Sequence, residues 1–581
     1  MAFSLLTATA GSRSYVSSVR PLKCVSLLDF SAVPDPSDFA KAAKRGNVVP
    51  LHSCIFSDQL TPVIAYRCLV KEDDRETPSF LFESVEPGSK VSTVGRYSVV
   101  GANPSIEIVA RENKVSIMDH EVGTLTEEFV EDPMVIARRI SEGWKPQIVC
   151  DLPDAFCGGW VGYFSYDTVR YIENDNLPFS RAPKDDTNLP DIHFGLYDDI
   201  IVFDHVHKKV HVIHWVIHWV MMDRYTSIEY AYSDGIHQLQ KLVARLQNID
   251  PHKLSRAIVQ FETRNFSPTL TDSNMTREEY MELVSKAKKH IVSRDISRVF
   301  LSQCFERRTF ANPLQVYRAL RVVNPNRYMS YLQARGCILV TSSPHILTRV
   351  NKNKIINKPL SGTMRRGRTT EEDEMLEMKL RNDPKQYEEH SILVDSGLND
   401  IGKVAKPGSL AVDNLMNIER YSHVMHLSST ITGELRNGLS YWDALRAALP
   451  LGTVCGDPKV KAMELIDKLE VTRRGPYGGG FGSVSFTGEL DMALSIQTMV
   501  FTARSRFDRM YSYEDVNKQR GEWIAHIQTG QSIVADSDLD YKHWECENKA
   551  IDLARAIDLA EQLFPNFGVL KRELERYLSY N

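Results

Sequence analysis

The sequence predicts an α+β fold, and two observations predict it. From about Val49 to Val220, short runs rich in β-branched and aromatic residues alternate with turns (SFLFESV, YSVVG, IEIVA, KVSIM, GYFSYD, DDIIVFDHV), the pattern of a largely antiparallel sheet. From Arg298 onward, strand-like runs (VFLSQCF, YMSYLQ, CILVTSS, KIINK) alternate with helical ones (Pro313 to Val322, Glu371 to Leu380, Tyr387 to Val394), so this half reads as mixed α/β or α+β. With 581 residues the chain exceeds a single core, which implies one large or two intertwined domains.

Composition narrows the class. The chain is 43% hydrophobic and 25% charged, as globular proteins are, and its net charge of -5 offers no general attraction for nucleic acid or anionic lipid. Any anion must therefore be bound by a local basic patch. The nine cysteines are odd in number, scattered and free of CxxC pairs, which points to reduced thiols rather than disulfides or zinc. No apolar run approaches the roughly 20 residues that span a bilayer, so the mature chain is expected to be soluble, with neither nucleic acid nor membrane as a partner.

Taken in order, the first segment up to Leu28 has no Asp or Glu, carries Arg13, Arg20 and Lys23, and is rich in Ser and Thr. This is the composition of an organelle transit peptide, and residues 1–45 are read as transit peptide and flexible N-terminus. Residues 46–265 form the β-rich region. Within it VIHW occurs twice in succession, at Val212 to Trp215 and Val216 to Trp219. An even insertion preserves the alternation of faces while lengthening a strand by about 13 Å. His214 and His218 are four apart, but their β-branched and aromatic neighbours favour a strand, with no third ligand in sight. Thr226 with Glu229 reads as a capping box opening a helix with an apolar stripe at Ile236, Leu239, Leu242, Val243 and Leu246, which is expected to bridge the two halves. After a polar stretch from Asn248 to Ser273, Thr276 with Glu279 forms a second capping box, followed by Leu283, Val284, Ala287 and Ile291 at helical spacing. The main boundary falls here, with residues 266–565 as the second region and 566–581 as a C-terminal tail.

Between Gly452 and Gly482 the chain reads GTVCGDPKVKAMELIDKLEVTRRGPYGGGFG. Asp457 can cap a helix that begins at Pro458, with Val460, Met463 and Ile466 on its buried face. Unpaired N–H groups and the positive end of the helix dipole would then make the Thr453 to Gly456 turn a cradle for a carboxylate or phosphate, with an arginine pair and a glycine cluster beyond it.

In wider context the motifs LSQ, SSPHILTR, KPLSGTMRRG, EEHSILVDSGLND, MNIERYSHVMH, GTVCGDPKVKAMELI, RRGPYGGGFG, GQSIVADSD and ECENKA resemble, in order, the chorismate-using enzymes. In the first half, LFESVEPGSKVSTVGRYSVVGANP, FCGGWVGYFSYDTVRYIE and LPDIHFGLYDDIIVFDHV are similar to one branch, the plant anthranilate synthase alpha subunits (component I). The resemblance spans roughly Val49 to Leu563 and implies the component I fold, an intertwined β-sheet-rich core layered with helices. It also implies the conversion of chorismate and ammonia to anthranilate and pyruvate in tryptophan biosynthesis, in the chloroplast stroma. No glutaminase motif with a nucleophilic cysteine is present, so ammonia from glutamine requires a beta subunit, a glutamine amidotransferase.

The resemblance also carries roles onto residues. Mg²⁺ would neutralise the ring carboxylate of dianionic chorismate, and Glu389 and Glu545 match the family's metal-binding glutamates. Tyr477, Gly530 and Lys549 match positions serving the enolpyruvyl carboxylate; Gly362, Thr363 and Thr453 match the ring-carboxylate side; His426 matches the active-site histidine. Glu83 and Ser84, with Asn324, Pro325, Tyr328 and Met329, match the pocket for L-tryptophan as feedback inhibitor. Ser361 is the small residue expected of anthranilate synthases, and Gln303 ends LSQ without the lysine base of isochorismate-type isomerases.

Departures cluster on the same site. His345 stands where relatives place the glutamate that protonates the leaving C4 hydroxyl, a job an imidazolium could attempt. Leu398 and Gln497 replace arginines, Gln531 and Ser532 replace Ala-Gly, Lys542 replaces a glutamate, and Arg327 replaces a proline. Cys455 and Asp457 replace Ser and Ala. Two readings follow: an active anthranilate synthase alpha subunit, or a catalytically impaired paralogue retaining the fold and the partner or tryptophan interface.

Overall fold

Two twelve-stranded antiparallel sheets are built jointly by both halves of the chain. The computed structural model describes residues 32–71, 74–86, 93–217, 225–247, 270, 272–421, 424–502 and 523–564. In the first sheet, Val48–Phe56, Lys209–Ile217, Asp199–Asp204, Thr93–Ala102 and Ser79–Glu86 continue directly into Tyr328–Ala334, Cys337–Ser343, Thr498–Thr502, Trp523–Ile533, Arg298–Thr309 and Asp272–Ser273. In the second, Leu360–Arg365, Val424–Glu434, Lys354–Lys358, Ile346–Asn351, Leu490–Leu494 and Gly480–Ser485 continue into Gly159–Phe164, Ile192–Tyr197, Ile106–Arg111, Lys114–Asp119 and Thr124–Phe129. Ser84 pairs with Tyr328 at one junction and Gly162 with Gly482 at the other.

The core lies where inward faces of the two sheets meet. Phe80 packs edge-on against Tyr197 with ring centres 4.9 Å apart, and Phe82 against Phe481 at 6.4 Å. Phe80, Tyr197 and Phe481 are fully buried, and such a side chain stabilises the fold by roughly 1.5–3 kcal/mol. Trp215, in the first VIHW copy, is buried and donates its indole N–H to the Cys157 carbonyl at 2.7 Å. His214 is in a strand, as expected, and pairs with Asp199 at 2.8 Å; His218 lies outside the described residues.

Several local expectations need correction. The N-terminal region is ordered from Pro36, where Asp35 caps the helix Pro36–Ala43 and buried Phe39 packs on Tyr232 at 5.2 Å. Residues 1–31, with the transit-peptide segment, and the tail 566–581 lie outside the described residues. Ser227 rather than Thr226 caps the helix Ile228–Gln247, its hydroxyl accepting from the Tyr230 N–H at 3.1 Å. That helix, read as a bridge, packs on first-half strands: a Cβ on Gly235 would meet Val216 at 2.5 Å and Leu51 at 2.7 Å. The Thr276–Glu279 capping box forms as expected, at the head of the helix Arg277–Val292. The eight described cysteines are free thiols, and no described helix is long and apolar enough to cross a membrane.

Candidate active site

The strand Val424–Glu434 sets the site's floor. It presents His426 beside Thr363, and the His426 Nδ1 lies 3.2 Å from both the Thr363 hydroxyl and the Gly362 carbonyl. Gly362 has φ +55°, and a Cβ there would meet Gln386 and Leu380 at 2.9 Å, so glycine is needed for both conformation and space. The helix Pro384–Gly402 is fastened over this floor by His390, which sequence reasoning passed over as a functional residue. His390 is fully buried, with Nδ1 2.7 Å from the Ser361 hydroxyl and Nε2 2.7 Å from that of Ser429. Burial pushes its imidazole down to about 4, so it is neutral. Glu389 is thereby held at a fixed place on the helix.

His345 enters from the segment after Cys337–Ser343. Its backbone N–H donates to the Ser343 hydroxyl and its carbonyl accepts from the Leu494 N–H. His345 is 9% exposed, and its Nδ1 has no hydrogen-bond partner. Burial, then the neighbouring His426 and Lys549, push its pKa down to about 3. In the ligand-free chain the ring is therefore a neutral imidazole. His345, His426 and Lys549 are electrostatic neighbours.

The anion cradle read between Gly452 and Gly482 is also rearranged. Its helix is Lys459–Leu469 with Pro458 at the N-cap position, and Asp457 makes no cap. Asp457 instead pairs in a short strand with Arg298 and accepts from the Ser297 hydroxyl at 2.9 Å. The arginine pair is engaged by groups of the chain itself. Arg473 contacts Glu112 at 3.0 Å, and buried Arg474 spends its donors on Glu470, the Val454 carbonyl and the Phe300 carbonyl. Thr453 lies in the turn Gly452–Val454, braced by Arg474 on one side and by Arg298, which donates to the Gly452 carbonyl at 2.6 Å, on the other.

Arg298 is a second residue that sequence reasoning missed. It is 2% exposed, and besides Gly452 it contacts the Ser532 hydroxyl at 3.3 Å and the Glu389 carboxylate at 3.9 Å, while its Nε has no partner. Burial lowers its pKa. The available signal was a lone basic residue opening an apolar strand. Ser532 sits in the strand Trp523–Ile533 without positive φ, so the strain it would carry in a left-handed position does not arise. Gly530 lies opposite Ser302, where a Cβ would meet Phe300 at 2.4 Å. Tyr477 is buried, which raises its pKa well above the usual phenol range.

On the helix Leu539–Leu563, Glu545 lies between two lysines: Lys542 at 3.1 Å and Lys549 at 3.7 Å. Among the described residues, no group of three or more His, Cys, Asp or Glu gathers as a metal cage.

At the junction of the halves a cavity of about 480 Å³ is lined by Glu83, Ser84, Tyr328, Arg327, Arg349 and Asp491, with others. Three residues of the expected tryptophan set therefore line one cavity. Asn324, Pro325 and Met329 are not among its lining. Met329 is buried, and Asn324 bonds Asn326 at 3.1 Å. Leu398 packs partly buried against the main core.

The chorismate binding enzyme family matches residues 77–555. The chain is 63% identical to the chloroplastic anthranilate synthase alpha subunit 1 of Arabidopsis thaliana, over 95% of this chain and 93% of that protein. The crystal structure of anthranilate synthase component I from Streptococcus pneumoniae superposes with a TM-score of 0.65 at 28% identity, covering 86% of this chain and 99% of the other. The menaquinone-specific isochorismate synthase from Escherichia coli shares the fold alone, with a TM-score of 0.60 at 16% identity, covering 88% and 95%.

Proposed function

The chain belongs to the chorismate-binding enzymes, in the branch of the plant anthranilate synthase alpha subunits, and on that premise we propose that it binds chorismate and serves the formation of anthranilate and pyruvate in the chloroplast. The observation that carries this reading is His426 held against Gly362 and Thr363, with His345 and Lys549 within electrostatic reach of one another. Lys549, backbone N–H groups near Gly530 and the turn at Thr453 would receive the carboxylates of a dianion. Ammonia would come from a beta subunit acting on glutamine, and L-tryptophan would inhibit from the cavity at Glu83, Ser84 and Tyr328.

Magnesium belongs to this reading. Glu389 and Glu545 are hard oxygen donors, 33% and 29% exposed, which suits an ion that keeps water and takes a substrate oxygen, so the donor set fits and these two residues would hold it. When bound, the ion supplies charge that neutralises the ring carboxylate. The protein's own residues do the rest: His426 is oriented by Thr363 and Gly362, and His345, whose ring burial holds neutral in the ligand-free chain, would face the leaving hydroxyl as a weak acid.

That last point favours the second reading, an impaired paralogue. Folded protein with chorismate, Mg²⁺ and excess ammonium should yield fluorescent anthranilate; absence of product from a folded sample defeats the enzymatic reading.

A further inference from the structure

Both carboxylates of the proposed metal site already face basic side chains of this chain. Glu545 is flanked along its own helix by Lys542, three residues before, and Lys549, four after. Glu389 faces Arg298. Each carboxylate is thus already matched by a cation, and a divalent ion arriving at Glu545 meets the charges of two lysines.

The basic groups differ in how they are held. Arg298 is locked, since its guanidinium donates to the Gly452 carbonyl and the Ser532 hydroxyl from a buried position. Its planar fork cannot turn away without leaving those partners. Lys549, half-exposed, also neighbours His345. Lys542 is a point charge on a flexible stem, 19% exposed, and its recorded hydrogen bond is the one to Glu545. A metal that takes Glu545 therefore has to displace Lys542, and it can do so by a rotation of that stem.

We infer that Lys542 is a built-in counter-ion that competes with the divalent metal for Glu545 and so sets the metal affinity of this site. This rests on the reading that Glu389 and Glu545 hold magnesium. The ammonium lowers metal affinity in two ways, by occupying an oxygen the metal would use and by repelling a second positive charge a few ångströms away. A dicarboxylate substrate, by adding negative charge, then favours metal entry, so metal and substrate bind each other's complex more tightly than the free protein.

The test is Mn²⁺ binding to the full-length chain, followed by calorimetry and by the electron paramagnetic resonance signal of free Mn²⁺. Wild type is compared with Lys542→Ala and Lys542→Gln, with near-ultraviolet circular dichroism confirming the fold. Both variants should bind Mn²⁺ about tenfold more tightly or better, with the gap narrowing as salt screens the lysine charge. Equal or weaker binding by both variants overturns the inference and leaves the metal reading standing. Failure of wild type and variants alike to bind Mn²⁺ overturns the metal reading itself, and the inference with it.

Discussion

The side-chain oxygen of Gln497 accepts a hydrogen bond from the Asn326 amide at 3.0 Å, joining the loop after Leu490–Leu494 to the segment that leads into the cavity strand Tyr328–Ala334. Asn326 is nearly fully buried and also donates to the Ser342 carbonyl, so this amide ties three segments together. A residue expected from family pattern to be a substrate-contacting arginine is here a fastener between the active-site side and the cavity side. Gln497→Ala should cost about 1 kcal/mol of stability, the net worth of a typical hydrogen bond, read from urea denaturation.

Arg474 and Glu470 form a buried ion pair at 2.7 Å, and Glu470 also accepts from the Ser302 N–H at 2.8 Å. Arg474→Met leaves a buried carboxylate unpaired and should destabilise the protein by about 3–5 kcal/mol. Arg474→Met/Glu470→Gln should recover part of that loss; a double variant no better than the single one refutes the pairing argument in a thermal melt.

Acid should weaken the fold in a defined window. Burial pushes His345 down to about 3, and His390 and His52 to about 4, so the native state holds these rings neutral while the unfolded chain takes up protons near pH 6.5. Their contribution is complete above about pH 6.5 and is lost as the pH falls through the native values, a loss on the order of a few kcal/mol by pH 4. Denaturant midpoints from pH 7.5 to 4 check this, and His390→Asn should flatten the slope.

Gly530→Ala places a methyl group 2.4 Å from the Phe300 ring and 2.7 Å from the Leu301 carbonyl. The backbone cannot yield without disturbing the pairing with Ser302, so a loss of about 1–3 kcal/mol is expected in a thermal melt.

If His345 faces the leaving hydroxyl as proposed, His345→Glu supplies a carboxylic acid there. Anthranilate formation with ammonium should rise by roughly 10²–10⁴-fold, the usual worth of a positioned general acid. Unchanged fluorescence from a folded variant places the deficit elsewhere, with Gln497 and Lys542 next to restore.

Local signals read well from sequence and non-local ones did not. The β-rich runs, the Thr276–Glu279 capping box and the strand character of His214 follow from alternation and capping chemistry within a few residues. Asp457 failed as a cap because its strand pairing with Arg298, a residue far away in sequence, took precedence over local helix chemistry. Arg474 looked free for an anion because Val454 and Phe300, its carbonyl partners, come close only in the folded chain. His390 was hidden for the same reason: its two hydroxyl partners lie on separate strands. Motif resemblance singled out His345 and His426, whereas the burial that lowers the His345 pKa comes from the folded chain.

The junction where Ser79–Glu86 pairs with Tyr328–Ala334 has a consequence for biogenesis. During synthesis, the first-half strands emerge with an open hydrogen-bonding edge whose partner is still many codons away, and a long-range closure of this kind is slow. Until the second half arrives, that edge is open to pairing with other chains. By the same logic, two fragments cut between the halves should each aggregate alone and reassemble when refolded together, since each supplies the edge the other lacks.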